Sequence, residues 1–126
     1  MRFRGICVFV VGIEYEKIKL LTIGVFVLIL VSEFSNKSKL EILIKSANQG
    51  DVEAQYNLGL MYENGQGVLQ DYKEAIKWYK KSAEQGDKHA QSNLGRMYRY
   101  GWGVSRDYKE TVRWYRLAAE QGLAKA

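Results

Sequence analysis

Ala54-Gln55-Tyr56-Asn57-Leu58-Gly59-Leu60-Met61-Tyr62 returns thirty-six residues later as Ala90-Gln91-Ser92-Asn93-Leu94-Gly95-Arg96-Met97-Tyr98. The register holds without a gap from Ala54–His89 to Ala90–Lys125, and twenty of these 36 positions are identical. A fixed period in the thirties marks an array of helical hairpins, each burying its apolar face against its neighbours. Counting backwards, Lys45-Ser46-Ala47-Asn48-Gln49-Gly50-Asp51 falls on Lys81-Ser82-Ala83-Glu84-Gln85-Gly86-Asp87. Residues 37–50 therefore read as the second half of an earlier repeat. Its first half would fall on residues 18–33, where the pattern is missing.

Each unit specifies two helices. Asp51 and Asp87 are placed to cap the first, whose apolar face reads Ala54, Leu58, Met61, Tyr62 and then Ala90, Leu94, Met97, Tyr98. Gly65 and Gly101 stand where the first helix needs a left-handed residue to stop. Asp71 and Asp107 begin the second helix, and Glu74 and Glu110 three places on predict a capping box. Loss of either cap should cost about 1 kcal/mol. Gly59, Gly95, Ala83 and Ala119 let helices approach closely, while Trp78 and Trp114 fill the wider gaps. The fold class expected is all-α: a short α-solenoid of antiparallel helix pairs preceded by an N-terminal hydrophobic helix.

Leu20–Val31 is twelve residues without a charge, preceded by Lys17 and Lys19 and followed by Ser32 and Glu33. That length suits the apolar region of a signal peptide better than a spanning helix, and the basic flank lies on the side that export requires. Residues 1–32 read as a signal peptide cleaved near Ser32 or, since no Ala-x-Ala site follows, as an uncleaved anchor. A helix buried against the repeats is the alternative. A second apolar run, Ile6–Ile13, lies upstream across Glu14-Tyr15-Glu16-Lys17. It is accounted for if residues 1–16 extend beyond the true start. The repeats are expected outside the cytoplasm, in a periplasm, with a possible membrane tether through residues 20–31.

The formal net charge is +5. Ala54–His89 holds five acids and five bases, whereas Ala90–Lys125 holds three acids and seven bases. A nucleic-acid binder needs a basic stripe with stacking aromatics. Here the aromatics recur at packing positions and the first repeat is neutral, so no nucleic acid is expected. Cys7 is the only cysteine and His89 the only histidine, so neither an internal disulfide nor a zinc site can be assembled. No cofactor is expected.

The run Ala-Gln-x-Asn-Leu-Gly-x-Met-Tyr-x-x-Gly-x-Gly-Val-x-x-Asp-Tyr-Lys-Glu, then Trp-Tyr and Ala-Glu-Gln-Gly, closely resembles the Sel-1-like repeat, a relative of the tetratricopeptide repeat. The resemblance covers residues 37–126: a half repeat at 37–50, repeat one at 54–89 and repeat two at 90–125. Family members frequently carry Pro after the Gly-Val step, where this chain has Leu69 and Ser105. The resemblance implies a non-catalytic adaptor whose first helices line a groove for a peptide or partner surface, in an exported bacterial-type protein. Some disulfide-rich relatives are proposed to act on β-lactams, but no cysteine pairs and no Ser-x-x-Lys occur here. A truncated repeat protein without independent function is the other alternative.

Positions that differ between the repeats on the groove side of the first helix are Glu53, Tyr56, Leu60 and Glu63, matched by His89, Ser92, Arg96 and Arg99. Asn57 and Asn93 sit beside them, placed to hydrogen-bond a peptide backbone. Arg96 and Arg99, at i and i+3, share a helical face on which two guanidinium groups would grip a carboxylate, so an acidic protein or peptide ligand is expected. Trp102 replaces Gln66 in the loop and is either a packing variant or an exposed anchor. At the ends of the array, Trp114, Leu117 and Ala118 on one side and Leu40, Leu43 and Ile44 on the other need cover. End-to-end self-association is the mode expected from that need.

Overall fold

The computed structural model describes the backbone of residues 2–122 and the side chains of residues 14–122. Five helices follow in order: α1 Arg2–Asn48, α2 Val52–Asn64, α3 Tyr72–Glu84, α4 Lys88–Tyr100 and α5 Tyr108–Glu120. Among the described residues there is no strand. The molecule divides after Ser38 into two units. The second consists of the end of α1, from Lys39, and the hairpins α2–α3 and α4–α5.

In the first unit α1 runs unbroken through the region where half a repeat would have stood. Its sequence there has no Gly-x-Gly step and no proline, so nothing stops the helix. Leu20, Leu21, Ile23, Val25, Phe26, Val27, Leu28, Ile29, Leu30 and Val31 are all exposed. Residues on every side of a helix cannot all be turned towards a protein core. The span Glu14–Asn48 is long and apolar enough to cross a membrane. The side chains of Ile6–Ile13, Cys7 among them, lie outside the described residues.

In the second unit the helix ends are set by the residues that repeat. The Asp51 carboxylate accepts from the Ala54 N–H at 3.0 Å, and Asp87 accepts from Ala90 at 2.6 Å. Gly65 (φ +67°) and Gly101 (φ +72°) take the left-handed conformation and donate back to the Met61 and Met97 carbonyls. Asp71 accepts from the N–H groups of Lys73 and Glu74, and Asp107 from those of Lys109 and Glu110. The expected capping boxes are only half formed. The Asp71 N–H already donates to the Tyr62 carbonyl at 2.9 Å and the Asp107 N–H to Tyr98 at 3.1 Å. Glu74 turns instead to Lys77, and Glu110 to Arg113 and the Trp114 indole N–H.

Two apolar clusters hold the hairpins together. Ala47, Ala54, Leu58 and Trp78 form one, with Leu40, Leu43 and Ile44 packed against it. Ala75, Tyr79, Ala83, Ala90, Leu94, Met97 and Trp114 form the other. Leu40, Leu43 and Ile44 are thus partly covered by α2 and α3. Trp114 and Ala118, expected to be open, are buried, because they face α4 and not the outer side of α5. The large apolar side chains left open on α5 are Tyr108 and Val112.

A glutamine relay joins successive helices of the second unit beside the apolar clusters. Gln55 donates to the Ala47 carbonyl and accepts from Gln85; one period later Gln91 donates to the Ala83 carbonyl and accepts from Gln121. Gln55 and Gln91 are buried, so each bond removes the penalty of an unsatisfied amide. This accounts for two of the repeated positions, Ala-Gln and Glu-Gln-Gly, that carry no apolar side chain worth burying.

Candidate functional site

The face made by α2 and α4 carries the positions at which the two repeats differ. Helical spacing puts Glu53, Tyr56, Asn57, Leu60 and Glu63 along one side of α2. His89, Ser92, Asn93, Arg96 and Arg99 follow the same spacing along α4. Glu53, His89 and Arg99 are exposed; Tyr56, Asn57, Leu60, Ser92, Asn93 and Arg96 are half-buried. The Tyr56 ring lies 5.9 Å from Tyr79 beneath it and 6.0 Å from His89 beside it.

Glu63 is the exception, because it is buried. Its Oε2 accepts from the Tyr79 hydroxyl at 2.5 Å, while Oε1 pairs with the Arg96 guanidinium on the next first helix. Burial, reinforced by the hydrogen bond to Glu63, pushes the Tyr79 hydroxyl far above its ordinary value, so it stays a donor. Burial likewise raises Tyr56, which the Asn93 side chain partly offsets. Both aromatic hydroxyls remain neutral at physiological pH.

Of the two arginines expected to grip a carboxylate together, Arg96 is already engaged. Arg96 spends its charge on Glu63, and its Nε is buried without an acceptor. Arg99 remains exposed, with its guanidinium 5.5 Å from the Tyr100 ring. The pairing is written in the sequence as two substitutions between the repeats, Leu60 to Arg96 and Glu63 to Arg99. Glu63 and Arg96 meet because first helices of successive repeats lie side by side.

Trp102 takes part in an aromatic stack. It stacks on Tyr72 at 5.7 Å and on Tyr100 at 5.1 Å, and Arg96 approaches the same ring at 5.8 Å. Gly103 explains the close seat: a Cβ there would fall 2.7 Å from the backbone of Tyr72. The loop after α4 thus lies directly on the start of α3. Only part of Trp102, 37% of its surface, is left open.

Among the described residues no three His, Cys, Asp or Glu side chains gather into a metal site. The face offers amides, hydroxyls, the His89 imidazole and the Arg99 guanidinium, which has no carboxylate partner among the described residues.

The Sel1 repeat family model matches residues 52–87 and 88–123. The chain belongs to the Sel1 repeat family. Sel1 repeats are typically protein–protein interaction modules and generally of a non-catalytic, scaffold type. Among solved structures, the chain is similar to a protective antigen present in uropathogenic Escherichia coli strains, which displays an SLR fold. The identity is 54% and the TM-score 0.63, over 64% of this chain and 17% of the antigen. A Sel1 repeat protein from Oxalobacter formigenes is 43% identical with a TM-score of 0.65, over 71% of this chain and 35% of that one. Helicobacter pylori cysteine rich protein B is 26% identical with a TM-score of 0.66, over 70% and 66% respectively. This chain thus spans less than two thirds of each of these relatives. No curated protein matches in the sequence comparison.

Proposed function

We propose that this Sel1 protein is a non-catalytic adaptor that binds a protein or peptide across the face formed by α2 and α4, outside the cytoplasm. One observation carries the reading. The parts that build the scaffold are duplicated: the Asp caps, the left-handed glycines, the Gln relay and the buried Leu58 and Leu94. On the face, Asn57 and Asn93 are kept while the side chains around them change: exposed Glu53 in one repeat is His89 in the other, and half-buried Tyr56 is Ser92. A scaffold held constant beneath a varied surface is how a repeat protein makes one specific interface.

Asn57 and Asn93 are the amides best placed to meet a partner backbone, and Arg99 is the cation available to an acidic group. The apolar part of α1 supports export, either as a signal or as an anchor, with Lys17 and Lys19 at its cytoplasmic end. The test replaces Glu53, Asn57, His89 and Ser92 together by Ala in the full chain. Helix content and melting should stay as they are, while the partner recovered by crosslinking in the native envelope is lost. Undiminished recovery would place the binding surface elsewhere.

A further inference from the structure

Six of the eleven positions from Arg96 to Arg106 differ from repeat one, and five of those six have become arginine or aromatic. Leu60, Glu63, Asn64, Gln66 and Gln70 give way to Arg96, Arg99, Tyr100, Trp102 and Arg106. The fold gathers these side chains at the loop end of α4. Trp102 stacks on Tyr100 and on Tyr72 of the preceding repeat, and the Arg99 guanidinium lies over the Tyr100 ring. The stem of Arg106 packs over Gly101, where an added Cβ would meet its Cγ at 3.2 Å.

A further repeat would not cover this patch. Repeat one is followed by repeat two, and Asn64, Gln66 and Gln70 still stand exposed. Their equivalents Tyr100, Trp102 and Arg106 therefore lie on the outside of the array whatever follows repeat two. Glu63 behaves differently, because it is buried where Arg96 of the next repeat meets it. Arg99 is thus left out of the core of the patch.

Tyr, Trp and Arg are the residues that most often anchor a protein interface. Tyr100 keeps 45% of its surface open and Trp102 37%, enough for an apolar side chain to cover. Charge narrows the choice of partner. Arg106 is exposed and has no ion pair among the described residues. The three acids of repeat two are placed elsewhere: Asp107 caps α5, Glu110 pairs with Arg113, and Glu120 ends α5. A nucleobase would need an open ring face for stacking, whereas these ring faces are engaged by one another and by Arg99. Ring edges carry the positive end of the aromatic quadrupole, which favours carboxylates beside them.

We infer that Tyr100, Trp102 and Arg106 anchor an acidic segment of a partner protein, one with an apolar side chain among its carboxylates. The apolar side chain covers the open edges of the two rings, and Arg106 takes a neighbouring carboxylate. The inference rests on the adaptor reading and names where the partner is held and by what chemistry.

The probes are fluorescent peptides of the form Ser-Asp-Glu-x-Glu-Asp-Ser, with x as Phe, Leu or Ala, and an oligothymidine of equal charge. Binding to the full chain in micelles of uncharged detergent is followed by anisotropy. The Phe or Leu peptide should bind, and the Ala form about tenfold more weakly. Tyr100→Asn, Trp102→Gln and Arg106→Gln together should weaken the Phe and Leu peptides about tenfold or more. Repeat one carries those residues at the same places, so circular dichroism should show unchanged helix content. Should the triple variant misfold, Arg106→Gln alone carries the comparison, and it should also flatten the salt dependence. Arg113→Gln with Arg116→Gln, which removes more charge from α5, should leave binding unchanged. Binding by none of the peptides, an equal loss in the α5 variant, or tighter binding of oligothymidine through the same residues would overturn the proposal. Crosslinking from positions 53 and 89 in the unsubstituted chain reads the adaptor separately. Adducts there without peptide binding would remove the anchor and leave the adaptor standing.

Discussion

Glu63 and Arg96 stand 33 residues apart in sequence and form one ion pair between the first helices of successive repeats. The same Glu63 carboxylate holds the hydroxyl of the fully buried Tyr79, so three helices meet at one side chain. Arg96→Ala would leave the carboxylate of Glu63 buried with only the phenol to satisfy it. Because the Arg96 side chain is 39% exposed, water screens part of the pair, and the loss should be about 1–2 kcal/mol rather than the larger cost of a fully buried pair. Urea unfolding of the detergent-solubilised chain should show this loss. Adding Glu63→Gln should restore part of it, since the stranded charge is then gone.

Gly59 and Gly95 are identical in sequence and unequal in packing. A Cβ on Gly59 would lie 2.4 Å from the Tyr79 ring, which is fully buried and pinned through its hydroxyl. A Cβ on Gly95 would lie 2.7 Å from Tyr115, which is half-buried and free to tilt. Ala is favoured over Gly within a helix by about 1 kcal/mol, which works against the clash. Gly59→Ala should therefore destabilise by about 1–3 kcal/mol and Gly95→Ala by less than about 1 kcal/mol. Circular-dichroism melts of the two variants check the order. Equal losses would mean that Tyr115 is as firmly held as Tyr79.

Asp51 gives the array an acid-sensitive end. Its carboxyl lies below the usual range, chiefly because it accepts from the Ala54 N–H and secondarily from Ser46. A carboxylate depressed by folding adds stability that is present above its unfolded value and is lost as pH falls through its folded value. Melting should accordingly drop on acidification through and below the ordinary Asp range. Asp51→Asn should flatten part of that drop while changing little at neutral pH, because Asn also caps well. A drop of the same steepness in the variant would assign the acid sensitivity to other groups.

Much of the fold was legible because period and caps are local signals. Asp51, Asp71, Gly65 and their equivalents each act on a backbone within a few residues, and each does what its type implies. The capping boxes were misread because the fate of the Asp71 and Asp107 N–H groups depends on carbonyls of the preceding helix, which no local pattern reveals. The same holds for the candidate site. Helical spacing placed Glu63 and Arg96 on the same side of their helices as the other varied positions, but their mutual pairing depends on how two helices adjoin whose paired residues are 33 apart in sequence. Trp102 was ambiguous for a related reason: its neighbours Tyr72 and Tyr100 come from different repeats. Burial of Trp114 and Ala118 turned on the rotation of α5 about its axis, which the sequence period constrains only loosely.

Export is tested by topology. With Lys17 and Lys19 at one end of the apolar stretch and Ser32 and Glu33 at the other, the positive side should stay in the cytoplasm and the repeats should cross. Alkaline phosphatase fused after Ala126 should be active, since it matures only outside the cytoplasm. β-Galactosidase fused at the same place should be inactive. The opposite pair of results would put the repeats in the cytoplasm.

The claim that a varied face on a duplicated scaffold binds a partner is tested most directly by site-specific photo-crosslinking in living cells. A photoreactive residue is placed in turn at Glu53 and His89 on the α2–α4 face, and at Lys80 and Glu84 on the exposed side of α3. The account predicts one discrete adduct shared by positions 53 and 89 and absent from 80 and 84. Adducts of equal yield at all four positions, or only at 80 and 84, would contradict it.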